Sequence, residues 1–267
     1  MIRQPAVAGQ FYTGDGRKLR AELESLIAVR PAREKVMGIV APHAGYIYSG
    51  AVAGEVYGRI EIPATVIVLG PNHTGLGARA AVYPDGEWLT PLGAVQINAR
   101  LARLVRQHAP LVEEDSTAHH NEHSLEVQVP FLQFIRPDVT IVPLCLGFND
   151  FARCRSLGEG IARAIMEYGE YVLIVASSDM THYESAAAAR TKDDLAISEM
   201  LAMNPDGLLQ VCRSHGITMC GVVPATVMLV AALELGATKA ELVRYATSGD
   251  VTGDNRQVVA YAAFTVS

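Results

Sequence analysis

Ile39-Val40-Ala41-Pro42-His43-Ala44-Gly45-Tyr46-Ile47-Tyr48-Ser49-Gly50 passes from an apolar run through a Pro-His turn into a segment of Gly, Tyr and Ser. The run from Val36 to Ala41 is short, apolar and closed by a proline, which reads as a buried strand. Ala51 to Gly58 follows as a small-residue helix. A strand that feeds a turn and then a helix is the repeating unit of an α/β protein. It recurs along the chain. Ala64 to Leu69 (ATVIVL) is a second buried strand closed by Gly70-Pro71, Val139 to Leu144 a third that contains Pro143, and Tyr171 to Ala176 (YVLIVA) a fourth.

Between the strands lie helical patterns. Arg17 to Val29 sets Leu19, Leu23, Leu26 and Ile27 on one face, with Arg20, Glu22, Glu24 and Ser25 facing water. Asn98 to His108 begins on an N-cap asparagine. Glu122 to Ile135 has helical spacing that Pro130 should bend or break. Phe151 to Tyr168, Thr191 to Met203, Pro205 to Arg213 and Gly221 to Leu235 also read as helices. Residues 72–93 are rich in Gly and Pro and predict loops with short strands. Leu242 to Thr247 and Gln257 to Val266 read as strands joined by a Gly/Asp-rich turn, which introduces antiparallel pairing. Continuous apolar strands alternating with helices predict an α/β fold, a mixed central sheet covered by helices on both faces. With no linker, charge block or repeat in 267 residues, a single domain over 1–267 is expected.

Composition excludes some functions. Acidic residues outnumber basic ones 28 to 22, and no Lys/Arg cluster stands out, which argues against nucleic acid or an anionic membrane as partner. Met1-Ile2-Arg3-Gln4-Pro5 has no apolar core of a secretion signal. The longest apolar stretch, Cys220 to Leu235, contains Pro224 and falls short of a membrane-spanning helix. A cytoplasmic protein is expected. Cys145, Cys154, Cys212 and Cys220 show no CxxC pair or framework spacing, so reduced thiols fit better than disulfides.

The chemistry sits after the strands. The first is followed by Pro42-His43, the second by Gly70-Pro71-Asn72-His73, and the fourth by Ser177-Ser178-Asp179-Met180-Thr181-His182. Open α/β sheets bind ligands beyond the carboxyl ends of their strands. Three strands each delivering a histidine there point to a metal, because neutral imidazoles suit iron, copper and zinc. Two histidines and a carboxylate make the open site of non-haem iron oxygenases, and the third ligand could be Asp179, Glu122 or the Cys220 thiolate just before a helix. Ala118-His119-His120-Asn121-Glu122-His123 is a second polar cluster, in which Glu122 and His123 are candidate pocket residues and His119 a weaker one. Tyr46, Tyr48 and Ser49 follow His43 and are further candidates for the pocket wall. No phosphate loop or GxSxG elbow is present.

Pro5-Ala6-Val7-Ala8-Gly9-Gln10-Phe11-Tyr12, Ala41-Pro42-His43-Ala44-Gly45-Tyr46, Gly70-Pro71-Asn72-His73, Asn121-Glu122-His123-Ser124, Ser177-Ser178-Asp179 with His182, and Cys220-Gly221 together resemble the Memo family. In prokaryotes such proteins are labelled AmmeMemoRadiSam system protein B, after an association with a radical SAM protein, which the resemblance implies as a partner. It also implies a fold related to class III extradiol dioxygenases. By the same resemblance His43, His73 and Cys220 would be metal ligands, with Cys220 in place of the dioxygenases' carboxylate. Asp179 and His182 would be the catalytic residues, His182 as acid/base, and iron the cofactor, ahead of copper and zinc. A metal-dependent redox or oxygenase-like activity is thus expected. A phosphopeptide- or protein-binding module reusing the pocket is the alternative, and zinc-dependent hydrolysis a weaker third.

Overall fold

The computed structural model describes residues 1–28, 30 and 32–267. From the N-terminus run β1 (Ile2–Arg3), α1 (Gly16–Leu26), β2 (Gly38–Ala41), α2 (Tyr46–Arg59) and β3 (Thr65–Pro71). Then come β4 (Ala80–Val82), β5 (Glu87–Thr90), β6 (Gly93–Ile97), α3 (Ala99–His108) and β7 (Glu113–Glu114). The middle holds α4 (His123–Glu126), α5 (Val129–Ile135), β8 (Thr140–Leu146), α6 (Phe151–Tyr168) and β9 (Val172–Ser177). The chain closes with β10 (His182–Glu184), α7 (Ala186–Leu201), α8 (Pro205–Ser214), α9 (Val222–Glu234), β11 (Ala240–Thr247), α10 (Gly249–Thr252) and β12 (Val258–Val266).

The strands join one mixed sheet, with the path β1-β5-β6-β8-β3-β9-β2-β12-β10 and β11 on β12. Its middle, β6-β8-β3-β9-β2, is parallel; β11 and β12 pair antiparallel, as the turn between them foretold, and β12 also adds to β2 antiparallel. Every residue of β2, β3 and β9 is buried, because a parallel strand between helical layers has no face left for water. Alternate residues point to opposite layers. Val40, Ile67, Leu69, Ile174 and Ala176 pack with α3, α6, α8 and α9. Ile39, Ala41, Val66, Val68, Leu173 and Val175 pack with α1, α2 and α5.

Some boundaries differ from the sequence reading. The first helix stops at Leu26, where Ile27 turns extended, and Val29, its expected end, lies outside the described residues. The second helix starts at Tyr46, five residues before Ala51. Pro130 does not bend a helix; it falls in the first turn of α5, where its missing N–H costs nothing. Among the described residues no helix is long and apolar enough to cross a membrane.

His119 shows how the N-terminal strand and the polar segment lock together. It is fully buried, its Nε2 lies 3.2 Å from the Ala81 carbonyl, and its Nδ1 has no partner among the described residues. Burial, with the Arg3 guanidinium nearby, pushes the imidazole down to about 3. The unfolded chain therefore takes up this proton near pH 6.5 while the native state does not, so the contribution is complete above that pH and is lost as pH falls towards 3. Between pH 8 and pH 5 wild type is expected to lose about 2 kcal/mol more stability than His119→Phe, measured by urea unfolding at each pH. Equal losses would show that His119 is protonated in the native state. Its place is in the core, not the cavity.

Candidate functional site

The order β3-β9-β2 puts the carboxyl ends of three strands side by side, with Ala41 opposite Ser177 and Leu69 opposite Ala176. His43, His73 and the segment Asp179–His182 therefore leave the sheet at one edge, as the strand-end rule anticipates. Two glycines allow the helices to close on that edge. A Cβ on Gly70 would lie 2.6 Å from Ser124 Oγ, so only glycine lets α4 approach β3. A Cβ on Gly221 would collide with the Ser177 carbonyl, so only glycine brings the start of α9, and Cys220 with it, against the end of β9.

Metal-binding atoms of His43, His73 and His123 all lie within 4.8 Å of one another. The His73 and His123 rings stack with centroids 4.7 Å apart, and His43 stands edge-on to each at 5.3 and 5.4 Å. The hydrogen bonds decide which nitrogens are free. Ser177 Oγ donates to the Ser124 carbonyl at 2.6 Å, so its remaining capacity is as an acceptor. It accepts from Gln128 Nε2 at 2.8 Å and from His43 Nδ1 at 2.9 Å. His43 is thus the Nδ1–H tautomer, and its Nε2 lone pair is open apart from the Cys220 Sγ at 3.1 Å. Burial, followed by the neighbouring His123, His73 and His182, holds His43 well below the usual histidine range. It is a neutral imidazole.

His73 is fixed in the same way by a carboxylate. Its Nδ1 donates to Glu122 Oε1 at 2.8 Å and its backbone N–H to Oε2 at 2.6 Å, while Oε1 also accepts from the Ser124 N–H. Burial alone would raise Glu122, yet the bonds and charge of His73 and the backbone N–H groups hold it at about 2. A carboxylate behind a histidine is the usual support of a metal-binding imidazole. His123, at the start of α4, has Nδ1 3.5 Å from Glu122 Oε1 and packs on the Phe11 ring at 4.8 Å. Burial lowers it too.

Asp179 Oδ1 accepts the His43 N–H at 2.8 Å. Burial raises its carboxyl to about 7, against the pull of the His43 and Ala44 N–H groups and the charge of His73, so it can hold or release a proton at neutral pH. His182 is set by its N–H to Thr218 Oγ1 at 2.8 Å and by Nδ1 to the Thr218 carbonyl at 3.1 Å, and its Nε2 has no partner among the described residues. Just before it, Thr181 is pinned by Asp193 Oδ1 at 2.7 Å, and Tyr245 binds the other oxygen of that carboxylate. His43, His73, His123, Asp179 and His182 all line one cavity of about 870 Å³.

Other expected residues stand elsewhere. Tyr46 is not at the cavity wall: its place in the first turn of α2 turns it inward, where its hydroxyl donates to the Val127 carbonyl. Tyr48, two residues on, lines the cavity instead. Glu122 is not at the wall either, because it is fully buried behind His73. Cys220 is outside the group of three histidines and rests against His43, and burial keeps its thiol well above the usual range. His123, expected as a pocket residue, occupies the third place. Of the orienting pair, Ser177 was read only as part of the strand-end motif and Gln128 escaped the sequence reading. A lone glutamine inside Val127-Gln128-Val129-Pro130 was the available signal, since a polar side chain in an apolar helical run needs a buried partner.

The sequence model of the family described as Memo-like protein matches residues 3–265. A MEMO1 family protein of Aquifex aeolicus is 46% identical, with 97% of each chain covered. One from Methanopyrus kandleri is 41% identical, with 98% of each covered. Among solved structures, an uncharacterized Escherichia coli K12 protein shares the fold at TM-score 0.54 and 15% identity, over 85% of this chain and 99% of its own. With a match that runs almost from end to end and relatives above 40% identity, the chain belongs to the Memo family.

Proposed function

We propose that the protein holds a redox-active transition metal, iron or copper, at His43, His73 and His123, and acts there as an extradiol-dioxygenase-like redox or oxygenase centre. The observation that carries this is the meeting of three imidazoles, two of them with Nδ1 committed to fixed partners, so that Nε2 is the nitrogen turned to a metal. Cys220 beside His43 Nε2 is a further donor, as thiolate, since metals bind cysteine deprotonated. When bound, the metal would supply Lewis-acid and one-electron chemistry at the floor of the cavity. The chain's own groups do the rest. Ser177 and Glu122 hold two imidazoles in register, Phe11 and Tyr48 wall the ligand, and Asp179 and His182 take up and return protons.

No lysine or arginine of the described residues lines this cavity, whereas Asp179 and Asp254 do. That speaks against a phosphopeptide module, which relies on cationic donors. Cobalt substitution separates the donors. Wild type is expected to show ligand-field bands with a sulfur-to-cobalt charge-transfer band, Cys220→Ser to keep only the former, and His73→Ala to lose both. Oxygen uptake with catechol-type substrates by the iron-loaded protein is expected to fall roughly 10²–10⁴-fold in His182→Ala. Unchanged uptake in that variant would remove His182 from the chemistry.

A further inference from the structure

Tyr183 adopts φ +59°, a left-handed conformation that a bulky side chain rarely takes. The cause is a bulge in β10: His182 pairs with Val259 and Glu184 with the adjacent Val258, so Tyr183 is the extra residue and is thrown outward. The residue is 73% exposed, yet it lines the same cavity as the histidines. A strained, exposed aromatic residue gains nothing from the core, and strain of this kind collects where a ligand is gripped. Tyr48, 40% exposed, lines the same cavity, as do Phe11 and Tyr261. No Lys or Arg of the described residues is on the wall. Of the two carboxylates there, Asp254 is paired with Arg256 at 2.7 Å and Asp179 lies beside the histidines, its Oδ1 accepting the His43 N–H, so in the outer part of the cavity the aromatic faces decide what is attracted. Ring faces carry negative potential and draw cations.

We infer that the outer part of the cavity receives an organic cation, gripped by the exposed faces of Tyr183 and Tyr48. The inference rests on the cavity of the proposed centre for its place, but the grip needs no metal. It is therefore tested on metal-free protein, where a failure of metal binding has no bearing on the result. Three probes of one shape isolate charge: choline, its neutral carbon isostere 3,3-dimethyl-1-butanol, and 3,3-dimethylbutanoate. The quaternary ammonium has no lone pair and cannot ligate a metal. By calorimetric or NMR titration choline is expected to bind about fivefold or more tighter than the alcohol, and the carboxylate most weakly. Tyr183→Gly and Tyr183→Asn accept the left-handed backbone, so both are expected to melt at or above the wild-type temperature while losing the preference for choline. Tyr183→Phe keeps the ring face and is expected to retain it. The inference is overturned if the carboxylate binds as well as choline, if Tyr183→Gly keeps the preference, or if Tyr183→Gly melts lower than wild type.

Discussion

Glu126→Gln is expected to destabilise the protein by roughly 3–5 kcal/mol, the usual cost of leaving one partner of a buried ion pair alone. Arg3 and Glu126 are 2% and 1% exposed at their side chains and meet at 2.7 Å. Arg3 also donates to the His119 carbonyl at 2.7 Å and the Glu122 carbonyl at 2.9 Å, with its guanidinium 4.2 Å over the Trp88 ring. Glu126 in turn accepts from the Ala6 and Val7 N–H groups and the Tyr12 hydroxyl. Every valence of the carboxylate is used. The amide of glutamine turns one acceptor into a donor and leaves the guanidinium charge unpaired away from water. The pair also ties the N-terminal strand and Phe11 to the segment that carries Glu122 and His123, so the loss reaches the site. Urea unfolding of Glu126→Gln, Arg3→Met and the double variant checks this, and the double variant should lose clearly less than the sum of the two. Strict additivity would mean that the two side chains act independently.

The second large effect concerns affinity. Glu122→Gln is expected to weaken metal binding by about 10–100-fold, the typical consequence of removing the group that orients a metal-binding histidine. Oε2 accepts the His73 N–H while Oε1 accepts both His73 Nδ1 and the Ser124 N–H. Whichever way an amide is turned, its NH₂ faces a donor. Either the His73 ring swings away or its Nδ1–H is lost, and both misdirect Nε2. Competition titration with a chelator of known affinity measures the change. An affinity within twofold of wild type would show that Glu122 does not set His73.

Much of this arrangement was legible from local pattern. The apolar strands closed by Pro42, by Gly70-Pro71 and by Ser177-Ser178 already said where the histidines would leave the sheet, because strand burial and chain breaks are local properties. The pairing order that brings β3, β9 and β2 together is not local, and neither is the proximity of His43 and His123. Tyr46 and Tyr48 look equivalent in sequence, yet the start of α2 at Tyr46 sends one into the core and the other to the cavity. The pairing of Arg3 with Glu126 carried no signal, since it spans the whole N-terminal half. Tyr183 was equally silent: its position depends on a register shift against β12 that only the paired strands define.

If the histidines at the strand ends hold a metal, His43 is indispensable to it. The most direct test is the metal content of protein purified without oxygen or chelators and reconstituted with iron(II) or copper, then freed of excess ion. Wild type should retain about one ion per chain, and His43→Ala, folded by circular dichroism, should retain a small fraction of that. The same metal content in wild type and His43→Ala would show that His43 holds no metal.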